Sequence, residues 1–124
     1  MRSEALKGHL DVLILAVVAD RPRHGYAIIE DLKQRSGGSL DLPEGTVYPA
    51  LHRLEAAGFL SSAWGTETGR RRRVYELTRR GRRELGVRRS EWRAFSRAVE
   101  AVLGSRMTQV PSVLATPDGG PRRA

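Results

Sequence analysis

The stretch from Leu42 to Gly58 places the tightest constraint on the fold, because its two sides carry opposite chemistry. Residues spaced three and four apart predict a helix whose inward face consists of Val47, Ala50, Leu51, Leu54 and Ala57. The outward face consists of Thr46, Tyr48, Pro49, His52 and Arg53. Hydroxyl, phenol, imidazole and guanidinium groups can hydrogen-bond base edges or phosphates, so this face suits DNA recognition. The alternative is an ordinary amphipathic helix that only packs against a core.

Two prolines bear on where this helix begins. Pro43 suits a first helical position, whereas Pro49 removes an interior hydrogen bond, at about 3 kcal/mol, if the helix is regular from Pro43 onward. We therefore predict a kink, or a late start near Gly45 that leaves Pro49 in the first turn, where its missing N–H costs little. The positive end of the helix dipole is then positioned for a phosphate.

A first helix is predicted from Glu4 to Ala19, and it ends before Pro22. Its apolar stripe consists of Leu6, Leu10, Leu13, Ile14, Val17 and Val18. Three additional apolar residues, Val12, Leu15 and Ala16, leave little polar surface on this helix. Since this exceeds what one small core needs, we expect a second protomer to cover the excess.

A second helix is predicted to open at His24 and to end at Gly37 and Gly38, which suit a left-handed cap. Its inward residues are predicted to be Tyr26, Ile28, Ile29 and Leu32. We interpret His24 as a residue that bonds the nearby backbone at the helix start, in preference to a ligand or a proton switch.

After the amphipathic helix, alternation over Phe59–Trp64 and Arg73–Leu77 predicts two strands joined by the turn Gly65–Gly69. The second arm begins with four consecutive arginines, Arg70, Arg71, Arg72 and Arg73. Beside a recognition helix, such a hairpin is a wing whose arginines lie along DNA backbone or reach into a minor groove. The alternative is a solvated charge run, although four adjacent guanidiniums repel one another unless an anion is present.

The basic charge of the chain is local. The formal net charge is +8 with a pI near 11.1, and the segment from Arg70 to Arg93 contains eleven arginines and three glutamates, so this segment holds the whole excess. A concentrated basic segment indicates a polyanionic partner, because neutralising phosphates releases counterions. Anionic membrane surfaces share this attraction, so charge alone does not choose between the two.

Thr78 is predicted to cap a last helix that runs to about Leu103. A seven-residue spacing along it resembles a short coiled-coil seam with a polar Arg88 in the apolar register. We predict a dimer interface that combines this seam with the first helix and consists of Leu6, Leu10, Leu13, Leu85, Trp92, Phe95, Val99 and Val102. Two paired heads imply a roughly palindromic operator with half-sites about one helical turn apart.

The ordered motifs of the chain resemble the PadR-like family of bacterial transcriptional regulators. They are His24-Gly25-Tyr26, the run from Gly45 to Glu55, Gly58-Phe59-Leu60, Tyr75 to Thr78, and Gly81. The resemblance implies a mainly α fold with a small β-hairpin, namely a winged helix-turn-helix followed by a long C-terminal dimerisation helix. It also implies a DNA-binding homodimer, usually a repressor relieved by a small molecule.

The resemblance also suggests an organisation and an effector site. We predict a winged helix-turn-helix DNA-binding domain at 1–78, a C-terminal dimerisation helix at 79–104 as in the short subgroup of the family, and a disordered tail at 105–124. In some short members a tryptophan at the position of Trp92 helps to bind a planar aromatic compound. Paired Trp92 indoles would form such a slot for a planar or phenolic effector, with core packing as the alternative role.

Several function classes are disfavoured by what the sequence lacks. There is no cysteine, and the three histidines are not at metal-ligand spacing, so we expect no metal, no cofactor and no enzymatic activity. The longest apolar run, Val12–Ala19, is too short to span a bilayer, and we expect a cytoplasmic protein with no membrane partner. Non-specific nucleic-acid binding and protein interaction through a winged helix remain as alternatives.

Overall fold

The computed structural model describes residues 3–65, 69 and 71–104, with side chains from residue 9 onward. The described elements, in chain order, are α1 (Ser3–Asp20), β1 (Arg23–His24), α2 (Gly25–Arg35), α3 (Glu44–Ala56), β2 (Leu60–Gly65), β3 (Arg72–Leu77), α4 (Arg79–Val99) and a π-helical turn (Glu100–Gly104). The chain divides after Arg88, within α4, into two compact units. The tail predicted at 105–124 lies outside the described residues.

The first unit encloses one apolar core between its helices and a small sheet. Side chains from all four helices and from β2 and β3 contribute to it, including Leu10, Ile14, Ile28, Leu32, Val47, Leu51, Leu54, Leu60, Tyr75 and Leu77. Leu15, predicted to be surplus apolar surface, is fully buried in this core, and Val12, Leu13 and Ala16 pack partly against it. The core of the chain itself therefore absorbs much of the apolar excess of α1.

The start of α2 is set by His24, as predicted. Its Nδ1 accepts a hydrogen bond from the backbone N–H of Ala27 at 3.2 Å, which satisfies one of the free donors at the helix N-terminus. The prediction that Tyr26 faces inward is wrong, because the buried stripe runs through Gly25, Ile28, Ile29 and Leu32. Tyr26 lies beside that stripe and is 52% exposed. At the other end, Gly37 has a φ of 63°, the left-handed conformation expected of a cap.

The helix that carries the predicted recognition face, α3, begins one residue before the predicted start. The backbone N–H groups of Thr46 and Val47 both donate to the carbonyl of Pro43, at 3.0 and 3.2 Å, so the helix starts at Glu44. Pro49 is then in the second turn, and the prediction that placed it in the first turn is wrong. Its missing hydrogen bond is outweighed by the burial of the apolar face of α3.

The inward face of α3 is otherwise as predicted, except at its end. Val47, Ala50, Leu51 and Leu54 are buried. Ala57 is exposed, because the helix stops at Ala56 and Ala57 serves as its C-cap.

The sheet has three strands in the order β1-β3-β2, all antiparallel. The predicted hairpin of β2 and β3 is present, with Leu60 opposite Leu77 and Trp64 opposite Arg73. Tyr75 and Leu77 are both buried, as their shared strand face predicts. The two-residue strand β1, which sequence patterns did not indicate, adds a third partner to this hairpin.

Thr78 joins the sheet to α4 in the predicted capping role. Its hydroxyl oxygen accepts a hydrogen bond from the N–H of Gly81 at 2.9 Å and donates one to the carbonyl of Gly58 at 2.7 Å. The helix continues to Val99 and passes into the π-helical turn that ends at Gly104. The mainly α architecture with a small antiparallel sheet confirms the predicted winged helix-turn-helix fold.

Candidate nucleic-acid interface

The outward face of α3 presents the polar groups that the sequence placed there. Pro49, His52 and Arg53 are exposed, and Thr46 and Tyr48 are half-buried. The four buried residues of the opposite face hold this surface in a fixed orientation on the head. The arrangement gives a rigid helix surface whose polar groups face solvent.

Tyr48 is the most constrained residue of this face. A Cβ atom added to Gly25 would lie 2.6 Å from its phenolic oxygen, so the tyrosine ring packs closely over the first residue of α2. Burial raises the pKa of Tyr48, the carboxylate of Glu44 raises it further, and Arg72 acts in the opposite direction. The phenol is therefore neutral at physiological pH and positioned between α2, α3 and the wing.

Arg53 has an acidic partner that sequence analysis did not find. Its guanidinium lies 2.6 Å from the carboxylate of Asp11 on α1, a residue 42 positions away in the chain. Asp11 also faces Arg88 at 3.5 Å, and Arg88 donates to Glu84 at 2.6 Å. The hydrogen bond to Glu84 raises the pKa of Arg88. The two carboxylates and the partial exposure of Arg88 explain how a charged residue is tolerated in the apolar register of α4.

Two arginines of the wing pack against an exposed tryptophan. Trp64 is 56% exposed, and the guanidinium carbons of Arg71 and Arg73 lie 4.8 and 5.3 Å from its ring centroid, within cation–π range. Arg73 also donates from Nε to the hydroxyl of Ser62 at 2.8 Å. These contacts direct the two guanidiniums along the surface of the hairpin. Arg70, the first of the predicted wing arginines, lies outside the described residues.

Arg72 is directed toward the start of α2. One terminal nitrogen of its guanidinium lies 3.1 Å from Nε2 and 3.3 Å from Nδ1 of His24. Because the two distances are nearly equal, the guanidinium lies against the imidazole ring as a whole, and it is not in line with one nitrogen. His24 thus links the N-terminus of α2 to the wing as well as capping the helix.

The wing and the starts of α2 and α3 surround a cavity of about 340 Å³. Tyr48 and the three described wing arginines line it, so the structure brings these predicted DNA-binding residues together. Thr46, Pro49, His52 and Arg53 belong to α3 but are not part of the cavity lining. The other five lining residues were not predicted as site residues: His24, Gly25, Tyr26, Glu44 and Trp64. For Trp64, the pairing with an arginine across the hairpin was the available signal.

The residues predicted for the dimer interface fall into two groups. In the first unit, Leu10 and Leu85 are buried in the core of the chain, so their side chains are not available to a second protomer, and Leu13 is half-buried. The side chain of Leu6 lies outside the described residues. In the second unit, Trp92, Phe95 and Val102 are exposed and Val99 is half-buried. The rings of Trp92 and Phe95 are 6.1 Å apart.

Two further properties concern the part of the chain that the structure describes. No helix in it is both long enough and apolar enough to cross a membrane. Nor does it contain a group of three or more histidine and acidic side chains arranged to hold a metal ion.

Comparison with known proteins agrees with the architecture of the site. Residues 14–87 match the transcriptional regulator PadR-like family. A transcriptional regulator of Mycobacterium tuberculosis is 39% identical over 93 residues, which cover 75% of this chain and 81% of that protein.

Solved structures give the same result. A PadR family transcription regulator from Clostridium difficile is 33% identical, with a TM-score of 0.70 over 77% of this chain and 99% of its own. A transcriptional regulator from Clostridium thermocellum is 26% identical, with a TM-score of 0.76 over 83% of this chain and 98% of its own. The family match, these relatives and the winged helix-turn-helix fold together show that the chain belongs to the PadR-like family of transcriptional regulators.

Proposed function

We propose that this regulator represses transcription by binding, as a cytoplasmic homodimer, a roughly palindromic DNA operator, and that a small planar or phenolic effector releases it. The main support for the DNA-binding role is that α3 and the wing lie on the same surface. Tyr48 of α3 and Arg72 of the wing line the same cavity, and the exposed face of α3 continues from it. A helix and a basic hairpin on one face suit the major groove and the adjacent phosphates.

Different residues of this surface would do different work. The exposed His52 and Arg53, with Thr46 and Pro49, supply donors, acceptors and apolar contact for base edges. The wing arginines, Arg70 to Arg73, supply charge for the DNA backbone or a minor groove. Arg53 exchanges Asp11 for DNA when it binds, because its guanidinium already has that carboxylate as a partner.

The proposed dimer rests on apolar side chains that the second unit leaves in solvent. Trp92, Phe95 and Val102 are 46%, 59% and 78% exposed, and each contributes apolar surface that a second copy would remove from water. Symmetry of the pair would then place two α3 helices about one DNA turn apart, roughly 34–36 Å. The proposed effector slot between two Trp92 side chains depends on the same pairing.

Fluorescence anisotropy tests DNA recognition. The protein is titrated against the DNA upstream of its own gene and against a scrambled duplex of equal length, over a salt series. We expect a preference for the native fragment that survives physiological salt, and His52→Ala should reduce this preference. Equal affinities that fall together as salt rises would reduce the function to non-specific binding, and no binding to either duplex would favour a protein-interaction module.

The role of the wing is tested by removing one charge at a time. Arg71→Gln should weaken binding to both duplexes. It should also reduce the slope of log affinity against log salt concentration by about one phosphate contact. Arg97→Gln, an equal charge change at an exposed position in the last turn of α4, is the control and should leave the slope nearly unchanged. Equal effects of the two substitutions would show that net charge matters and the wing does not.

Repression and the dimer are tested separately. Run-off transcription from the upstream fragment should fall as protein is added, whereas a rise would reverse the sign of regulation. Sedimentation equilibrium should give twice the 13.8 kDa mass of the chain. Phe95→Glu should shift the protein toward monomer, and Arg89→Glu, on the same helix, should not. A monomeric wild-type protein would contradict the proposed dimer.

The effector slot predicts a change in the fluorescence of Trp92. In a Trp64→Phe background, the neutral planar dye Nile red should quench Trp92. Trp92→Ala should abolish dye binding while the circular dichroism spectrum stays that of the folded protein. Unchanged dye affinity in the folded Trp92→Ala variant would remove this tryptophan from the effector site.

A further inference from the structure

The carboxylate of Asp11 on α1 is shared by arginines from two other helices. Its Oδ1 accepts a hydrogen bond from a terminal nitrogen of Arg53 on α3 at 2.6 Å. Its Oδ2 lies 3.5 Å from a terminal nitrogen of Arg88 on α4. All three residues belong to the first unit of the chain. A single carboxylate therefore joins the exposed face of α3 to α4.

The two members of the Asp11–Arg53 pair differ in their exposure. The side chain of Asp11 is 19% exposed, whereas that of Arg53 is 58% exposed and belongs to the outward face of α3. The carboxylate is thus fixed within the first unit, while the guanidinium is free to turn toward solvent. Within the described residues, Asp11 is the only acidic side chain at salt-bridge distance from Arg53. One donor of Arg53 is therefore already bonded before DNA binds.

Arg88 determines what happens to Asp11 when Arg53 leaves it. A largely buried carboxylate that loses its partner is costly, because it is not returned to water. Arg88 is close enough to remain its partner, and Arg88 is itself oriented by a hydrogen bond that its Nε donates to Glu84 at 2.6 Å. The departure of Arg53 therefore leaves Asp11 with one of its two arginines.

We propose that Asp11 is an intramolecular competitor of DNA that lowers the affinity of the regulator, and that Arg88 is a positioning residue that keeps Asp11 paired when Arg53 leaves. The inference rests on the proposed function, in which Arg53 contacts DNA. Asp11 and DNA are alternative acceptors for the same guanidinium, so the free protein keeps the Asp11–Arg53 pair and the complex loses it. Loss of a partly exposed ion pair changes an equilibrium by about two- to fivefold, and the whole of this effect falls on DNA affinity.

Fluorescence anisotropy with the upstream fragment at physiological salt tests the role of Asp11. Asp11→Asn removes the charge at nearly constant side-chain size and should tighten binding about two- to fivefold. Asp31→Asn is the control, because Asp31 has a similar side-chain exposure of 18% and also faces two arginines, Arg23 and Arg35, which are outside the proposed DNA surface. The control should change the affinity by less than about twofold.

Two double-mutant comparisons separate the ion pairs from net charge. In an Arg53→Gln background, Asp11→Asn should no longer tighten binding, because no guanidinium is left to release. Arg88→Gln should weaken binding more than Arg97→Gln, which makes the same charge change at an exposed position of α4. In an Asp11→Asn background, Arg88→Gln and Arg97→Gln should have equal effects, since the residue that Arg88 keeps paired has lost its charge.

Three results would overturn the proposal. These are unchanged or weaker binding by a folded Asp11→Asn protein, a gain that persists in the Arg53→Gln background, and equal effects of Arg88→Gln and Arg97→Gln in the otherwise wild-type chain. Circular dichroism checks the fold of each variant, and if Asp11→Asn does not fold, the comparison of Arg88→Gln with Arg97→Gln decides.

Failure of the proposed function gives a different result. A wild type that binds the upstream fragment no better than a scrambled duplex would refute operator recognition, while tighter binding of both duplexes by Asp11→Asn would still support the competitor role. A wild type that binds neither duplex would refute the DNA-binding function and the role of Asp11 together. A wild type that binds DNA, with Asp11→Asn no tighter, would refute the role of Asp11 alone.

Discussion

Gly81 offers a sharp test of how α4 is attached to the head. It lies in the first turn of the helix and is buried against Phe59, which precedes β2, and Leu77 at the end of β3. A Cβ atom added there would overlap the carbonyl oxygen of Phe59, and it would lie 2.9 Å from a methyl carbon of Leu77 and 3.0 Å from the carbonyl carbon of Phe59. Backbone cannot move aside as the end of a side chain can, so Gly81→Ala should destabilise the fold.

The expected magnitude follows from three contributions. Overpacking a well-packed site costs about 1–3 kcal/mol. The carbonyl that must move also accepts a hydrogen bond from the N–H of Thr78 at 3.1 Å, and straining such a bond costs up to about 1 kcal/mol. Replacing a helical glycine by alanine contributes about 1 kcal/mol in the opposite direction. We therefore expect the free energy of unfolding to fall by up to about 3 kcal/mol.

Gly86, one and a half turns further along the same helix, is the matched control. It is exposed, and a Cβ atom added there would have no atom within 4 Å, so Gly86→Ala should raise the free energy of unfolding by up to about 1 kcal/mol. Urea unfolding followed by circular dichroism, at one fixed protein concentration, measures both variants. A Gly81→Ala protein as stable as Gly86→Ala would refute the proposed close approach of α4 to the Phe59 carbonyl.

Three further predictions concern Gly25, Thr78 and Tyr48. Gly25→Ala should displace the Tyr48 ring, because the added methyl group would lie 2.6–2.7 Å from it. This variant should bind DNA more weakly in anisotropy and lose less than about 2 kcal/mol of stability. Unchanged DNA affinity would remove Tyr48 from the interface. Thr78→Val loses the hydrogen bonds with Gly58 and Gly81 and should cost about 1–2 kcal/mol in urea unfolding, so a neutral result would contradict the capping role. Burial raises the pKa of Tyr48 above 10.0, so this residue's contribution to stability is complete below pH 10 and is lost as the pH rises through the folded-state pKa. Because burial also raises the pKa of Tyr75, alkaline titration of the phenolate absorbance should show two late-titrating tyrosines, and Tyr48→Phe should leave one of them. Identical titrations of the wild type and Tyr48→Phe would contradict the raised pKa of Tyr48.

Much of the fold was predictable because its signals are local. The apolar spacing in α1, α2 and α3 repeats within a few residues, and so do the alternation in the hairpin and the caps at His24 and Thr78. The errors lie where local rules allow two outcomes. Pro49 is compatible with either a late start or a lost hydrogen bond, and the packing of the α3 inward face decides for the second. Leu15 fits either a dimer surface or a core, and the closure of the sheet over α1 decides for the core.

The sequence by itself determined the elements, the basic wing and the outward face of α3, since each depends on the type and spacing of neighbouring residues. Only the tertiary structure decided which side chains meet across long separations. Arg53 finds Asp11 at a separation of 42 residues, and Arg72 finds His24 at a separation of 48. The cavity between Tyr26, Trp64 and the wing arginines belongs to the same class, because it exists only where three elements from different parts of the chain meet. Such contacts depend on how the core orients each element, and no local pattern of residues records that orientation.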